Sequence, residues 1–302
     1  MPAVRTPEEI RYMADKPYLS ILATLGYVSR GSRPDLAPAV AVHSQYAARP
    51  LHIHWDSLHH LCKYVASTRD MGMTMTAGDI ELPESASTKS RKYAFDGRPV
   101  EEDLQAFPPP PAARALASTD DDPFPFDADD ATSMETPMQL LSFADASHGN
   151  EETGRRAIQG TVIAVGGCIV HWASKIQKLV ALSTMEAETV ATSPAGQHTI
   201  YRSNMLQELG VPFYSPTVVA NGNASSVSVA HNHEHHQRAR HIDIKHSWIR
   251  ENIFSGRFAV VWVAGKDMLA DVLTKPLPRI AFQYAVRRLG LRSFVRGRVV
   301  DA

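Results

Sequence analysis

The sequence predicts an α/β fold with a mixed five-stranded sheet and flanking helices, preceded by a small helical segment and an extended linker. Three observations carry that prediction. Two β-branched runs, Thr161–Val165 and Ile169–Ala173, flank Gly166-Gly167, the pattern of a hairpin. A long helical stretch, Thr184 to Leu209, opens on a capping residue and closes on Gly210. Between them and the N-terminal residues the composition changes, with Phe107-Pro108-Pro109-Pro110-Pro111, Asp120-Asp121-Asp122-Pro123 and then Asp127, Asp129 and Asp130.

The elements follow in order. Residues 8–75 form a helical unit. Leu19, Leu22, Leu25 and Val28 recur at helical spacing, Arg33-Pro34-Asp35 punctuates, and Ala37 to Tyr46 is a second apolar stretch. Leu58, Leu61, Cys62 and Val65 share one face of a third segment, with Trp55 one turn earlier, so three short helices are expected. Residues 76–136 read as a disordered spacer, because proline removes amide donors and clustered aspartates repel. From 138 to 291 the pattern is α/β. Gln139–Ala146 is a short apolar strand containing Asp145, and the hairpin follows it. Next comes the long helix, with Thr184 as N-cap, Glu186 and Glu188 in its first turn and Pro194 denting it. Thr217–Ala220 is a fourth strand, Ile242–Ile253 a helix and Phe258–Val263 a fifth strand. A helical segment runs on through Leu273, giving the order β-β-β-α-β-α-β-α.

Composition sets outer bounds. The 302 residues suffice for two ordinary domains, and 44% apolar against 21% charged residues is enough to bury a core, which excludes a wholly disordered chain. No run approaches the ~18–20 apolar residues of a membrane helix, and Met1-Pro2-Ala3-Val4-Arg5 has no signal-peptide pattern. Cys62 and Cys168 cannot staple a fold, so a reduced intracellular compartment, cytoplasmic or nuclear, and no membrane partner are expected. The net charge of −1 hides an asymmetry. From Gln237 to Ala302 there are 13 Lys/Arg against 5 Asp/Glu, a candidate surface for an anionic partner or an ordinary solvated face.

Asp145 ends the first strand, Glu188 lies on the first long helix and Asp271 on the terminal helical segment. If the first strand is central, these elements converge on one edge of the sheet. Carboxylates gathered about one point repel unless a dication neutralises them, which implies Mg²⁺. Two such ions roughly 3.5–4 Å apart activate water and stabilise the leaving oxygen of a phosphodiester. Composition alone does not select this triad, because 32 acids guarantee chance groupings.

The surrounding words select it. Ser142-Phe143-Ala144-Asp145-Ala146 precedes Ser174-Lys175-Ile176-Gln177-Lys178 and Ala181-Leu182-Ser183-Thr184-Met185-Glu186-Ala187-Glu188. Then come Arg240-His241-Ile242-Asp243-Ile244 and Leu269-Ala270-Asp271-Val272-Leu273-Thr274-Lys275-Pro276-Leu277. In wording, order and spacing they resemble the ribonuclease H domain that ends the polyprotein of copia-type LTR retrotransposons, from about Gln139 to Leu291. Asp15-Lys16-Pro17-Tyr18, Ser32-Arg33-Pro34-Asp35-Leu36-Ala37, His54-Trp55 and Tyr64-Val65-Ala66-Ser67-Thr68 resemble the end of the same element's reverse transcriptase. No Tyr-x-Asp-Asp occurs, so no reverse transcriptase activity is expected.

The resemblance implies a ribonuclease H-like sheet and Mg²⁺-dependent hydrolysis of RNA in an RNA–DNA hybrid. It makes Asp145, Glu188 and Asp271 the ligands of two Mg²⁺ ions. The fourth position, an aspartate in the family, is Asn221, an amide that offers one oxygen and no charge. The expected outcome is impaired catalysis, from a truncated or decayed copy or from one kept for binding nucleic acid without cleavage. Remaining parts of the polyprotein are possible partners. Arg238, Arg240, Lys245 and Arg250 are expected at the hybrid backbone, with Ser142, Gln159 and Asn223 as polar contacts that sense 2′-hydroxyls. His231, His233, His235 and His236 are a rival, a transition-metal tract in a loop without a nearby cysteine. Trp172, Trp248 and Trp262 are expected in the core.

Overall fold

The computed structural model describes residues 6–75, 78, 80, 82, 137–147, 149, 154–231, 240–295 and 298–300. The expected linker, 76–136, lies outside them except for Gly78, Ile80 and Leu82, and so do His233, His235, His236 and Arg238.

The N-terminal unit holds four helices where three are expected: α1 (Pro7–Met13), α2 (Tyr18–Gly31), α3 (Ala37–Ser44) and α4 (His52–Ser67). Met13, Tyr18, Leu22, Leu25 and Leu58 form its core, while Leu19, at the same apparent spacing, is exposed. The Ser-Arg-Pro-Asp word has a structural meaning. Arg33 Nη2 donates to Asp35 Oδ2 at 2.7 Å with both side chains buried, and Tyr64 O–H donates to the same oxygen at 2.8 Å, tying α4 to the turn before α3. Burial opposes the Arg33 charge, but Asp35 outweighs it and holds the pKa above its ordinary value.

The α/β unit contains β2 (Leu140–Ala146), β3 (Ile158–Val165), β4 (Cys168–Ile176), α5 (Thr184–Glu208), β5 (Thr217–Asn221), α6 (Ala224–His231), α7 (Arg240–Phe254) and β6 (Phe258–Trp262). Their order in the sheet is β4-β3-β2-β5-β6, with β2-β3-β4 antiparallel and β2-β5-β6 parallel. The expected mixed five-stranded α/β sheet with flanking helices is present. Gly166 (φ +52°) and Gly167 (φ +78°) turn the hairpin in a backbone that L-residues rarely adopt.

Every residue of β2 is buried, because helices cover both faces of this central strand; its sequence therefore shows no polar alternation. Ala144 packs with Ala195 of α5, Val219, Val227 and Ile249 on one face. Leu141 and Phe143 point the other way, into a cluster with Leu269, Val272 and Leu273. The cap of α5 is Ser183, not Thr184: its side chain accepts from Glu186 N at 3.2 Å. Pro194 does not break α5, since burial of Ala191, Ala195 and Thr199 beside it offsets a local cost of about 3 kcal/mol.

Asp271 lies on a 3-10 turn, Leu269–Leu273, rather than on an α-helix; the helix α8 (Arg279–Arg288) follows it. A second, three-stranded sheet escapes the sequence reading. β1 (Met71–Met73) pairs with β7 (Leu291–Val295), which pairs with β8 (Arg298–Val300), so the end of the helical unit is laced to the far end of the chain. Trp172 of β4 donates from Nε1 to Ser29 O of α2 at 2.7 Å, a second tie between the units. Three residues of the expected spacer are also anchored. Gly78 N donates to Gly166 O, Ile80 exchanges two hydrogen bonds with the Gln139 side chain, and Leu82 packs on the main core. Among the described residues no helix is long and apolar enough to cross a membrane.

Candidate active site

Parallel strands β2 and β5 lie side by side and carry Asp145 and Asn221 at their carboxyl ends, with Ala144 opposite Asn221 in the register. A crevice outside such strand ends is where open α/β sheets place ligands. The first turns of α5 bring Glu188 to the same end, and the 3-10 turn after β6 brings Asp271. Gly160 opposite Asp145 makes this possible: a Cβ there would stand 2.7 Å from Thr274 Cγ2 and 2.9 Å from Ala270 O, so only glycine lets the turn lie against β3.

The carboxylates meet. Glu188 and Asp271 each lie close enough to Asp145 to feel its charge. Lys275 Nζ is seated among them, 3.1 Å from Asp145 Oδ1 and 2.8 Å from Asp271 Oδ1. Thr274 Oγ1 donates to the other oxygen, Asp145 Oδ2. Burial, and then the charge of Asp145, push Glu188 up to about 9, so it holds a proton at neutral pH. The same two causes raise Asp271. Burial would lower Lys275, but Asp145 and Asp271 outweigh it and keep its ammonium charged. One proton and one ammonium thus offset two of the three acidic charges and leave one negative charge at the site.

Asn221 is fully buried and differs in kind. Its Oδ1 accepts from Asn223 N at 2.7 Å, and its Nδ2 donates to Thr192 Oγ1 at 2.9 Å and to Glu188 Oε2 at 3.4 Å. The amide presents its hydrogen atoms to the Thr192 hydroxyl and the Glu188 carboxyl, and its oxygen to the backbone. The expected fourth oxygen ligand is therefore a donor to Glu188.

The other expected contacts separate. Ser142 cannot touch nucleic acid: it has no exposed surface, faces α5 and shares a 2.6 Å hydrogen bond with Thr199. A strand buried on both faces hides polar residues that alternation would place outside. Asn223 caps α6, its Oδ1 accepting from Ser226 N at 2.9 Å. Lys245 and Arg250 lie half-buried on α7, with burial lowering the Lys245 pKa, and Arg240 begins that helix. Of the histidine tract, His231 ends α6 partly buried, its Nε2 2.9 Å from Val260 O, instead of facing a metal from a loop. Among the described residues no three His, Cys, Asp or Glu side chains are drawn together tightly enough to hold a metal ion as they stand. Thr274 and Lys275 were overlooked, although both sit in the Leu-Ala-Asp-x-x-Thr-Lys-Pro-Leu word. A spacing of four along a helical turn brings Lys275 back onto Asp271.

No protein-family model matches the chain. It is 28% identical over 288 residues to the retrovirus-related Pol polyprotein from transposon TNT 1-94 of Nicotiana tabacum, covering 95% of this chain and 17% of that protein. It is 30% identical over 274 residues to the Pol polyprotein from transposon RE1 of Arabidopsis thaliana, covering 91% of this chain and 15% of that one. The chain belongs with the copia-type Pol polyproteins of plant transposons. Both halves of it take part in the likeness, and it spans about a sixth of the length of these copia-type relatives. A foamy viral protease-reverse transcriptase solved in complex with RNA/DNA hybrid aligns over 75% of this chain and 26% of that one, at 16% identity and a TM-score of 0.34.

Proposed function

We infer that the α/β unit is a ribonuclease H-type nuclease whose substrate is the RNA strand of an RNA–DNA hybrid, operating with three carboxylates in place of four. The observation that carries this reading is the meeting of Asp145, Glu188 and Asp271 at the carboxyl ends of parallel strands, inside a chain related to copia-type Pol polyproteins. The donor set fits Mg²⁺. All three are hard oxygen donors, they draw an ammonium among them, and glycines flank them: a Cβ at Gly222 would lie 3.7 Å from Asp145 Oδ1 and one at Gly265 3.9 Å from Asp271 Oδ2. Bound there, Mg²⁺ supplies a lowered water pKa and charge stabilisation at the phosphodiester.

The protein's own residues do the rest. Thr274 fixes the rotamer of Asp145 and leaves one of its oxygens, Oδ1, to Lys275 or to a competing cation. Glu188 releases its proton when opposite charge is offered, so dication binding and deprotonation are linked. Asn221 adds no charge and steadies the Glu188 carboxyl as a donor, which leaves the site one charge short. Lys245 and Arg250 on α7, with Arg238 and Arg240, are assigned to hybrid phosphates.

A second reading, hybrid binding without cleavage, is favoured by one observation: Lys275 and the Glu188 proton already offset two of the three acidic charges without a metal. Incubating the full chain and Asp145→Asn with labelled RNA–DNA hybrid in Mg²⁺ separates the two. RNA cleavage by the first and none by the second supports the nuclease. Salt-sensitive binding by both, with log K falling about 0.7–0.9 per phosphate contact against log salt, and no cleavage, supports the binder.

A further inference from the structure

Away from the carboxylates, a groove of about 1000 Å³ lies between the helical unit and the outer edge of the sheet. Its walls are α2 and α3 on one side and β4 with His198 of α5 on the other. Because β4 ends the sheet among the described residues, its outward N–H and C=O groups have no ladder partner among them, and the groove is bounded by backbone able to read hydrogen-bonding edges. Leu22, Ala37, Val40 and Ile176 supply an apolar floor. Arg30 and Lys175, both exposed, supply the cations, and among the described residues no carboxylate lines the groove.

Two imidazoles are among its lining residues. The rings of His171 and His198 are 4.7 Å apart, and His171 Nε2 is buried without a hydrogen-bond partner. An orphaned buried ring nitrogen destabilises the fold unless something pairs with it. Burial, then Arg202, His198 and Lys175, lower His171 to about 4, so the ring is neutral and can donate or accept. The acids facing this group from β4, α5, α2 and α3 number none among the lining residues, while Arg30, Lys175 and Arg202 face or flank it.

An apolar floor, a neutral imidazole seeking a partner, an open strand edge and flanking cations suit a flat ring with polar edges joined to a phosphate. We propose that this groove is a binding site for a nucleoside phosphate, free or as part of a single strand, separate from the carboxylate site. It lies two strands from Asp145 across the sheet, about 10 Å at the usual strand spacing. The proposal does not depend on nuclease activity.

The test uses the full chain. Adenosine 5′-monophosphate, adenosine, inorganic phosphate and a ten-nucleotide dA strand are titrated by calorimetry against the wild type, the charge reversal Arg30→Glu/Lys175→Glu, and His171→Leu. The expected result is that the monophosphate binds more tightly than adenosine or phosphate alone. The charge reversal should weaken it at least about tenfold, and His171→Leu a similar amount. Tighter binding of the dA strand than of the monophosphate marks the source as a strand; equal binding marks a free nucleotide. No binding of either nucleotide overturns the proposal, and so does binding that the surface charge reversal leaves unchanged. If His171→Leu fails to fold, the charge reversal, on two exposed side chains, decides alone.

Discussion

Glu188 makes a prediction that needs no substrate. Its carboxyl is raised from 4.5 to about 9 by burial first and Asp145 second. A raised carboxyl binds its proton more tightly in the folded chain than in the unfolded one. Stability is therefore full below pH 4.5 and declines as the pH rises toward 9, by up to about 1.4 kcal/mol per pH unit. At pH 7 the folded chain retains a proton that the unfolded chain released two and a half pH units lower, a cost of about 3 kcal/mol. Glu188→Gln keeps the shape of the protonated acid and removes the titration. Urea unfolding of the two chains in EDTA measures the difference, and other titrating groups cancel between them. The glutamine variant should be ahead by less than about 1 kcal/mol at pH 5 and by about 3 kcal/mol at pH 7. A difference that stays constant with pH, or a glutamine variant less stable than wild type at pH 7, refutes the burial argument.

Other perturbations follow from the same geometry. Asp35→Asn leaves Arg33 buried and unpaired beside Tyr64 and should cost about 3–5 kcal/mol in urea unfolding; the double change Arg33→Met/Asp35→Leu should recover most of it. Gly160→Ala drives a methyl into Thr274, Ala270 and Leu273, and should cost about 1–3 kcal/mol while displacing the turn that carries Asp271, seen as loss of Mg²⁺-dependent thermal stabilisation. Trp172→Phe strips the donor from Ser29 O and should loosen the helical unit from the sheet, by about 1–3 kcal/mol, read as faster proteolysis between residues 67 and 140.

The five-stranded sheet was legible because its signals are local. Gly166-Gly167 declares the hairpin, and the helical stretch from Thr184 to Gly210 declares α5, with its cap one residue earlier than expected, at Ser183. The second sheet was not, because Met71–Met73 pairs with residues more than two hundred positions away and three residues carry no period. Helix α6 was missed for a different reason. Ala-Ser-Ser-Val-Ser-Val-Ala-His is poor in strong helix formers, and the Asn223 cap with buried Val227 and Ala230 makes it fold. At the site, the motif words named Asp145, Glu188 and Asp271, and geometry brings them together. Sequence could not show which way the Asn221 amide turns, since that depends on the N–H of Asn223. Nor could it show that Ser142 faces α5 and is sealed from solvent.

The central claim is that hydrolysis is limited by one missing charge at position 221. The direct measurement is the rate of RNA cleavage in a labelled RNA–DNA hybrid with Mg²⁺, for the wild type beside Asn221→Asp and Asp145→Asn, each verified as folded. The account predicts slow cleavage by the wild type, cleavage at least about tenfold faster by Asn221→Asp, and none by Asp145→Asn. An Asn221→Asp chain that is folded and no faster than wild type, or silence in all three, would contradict it.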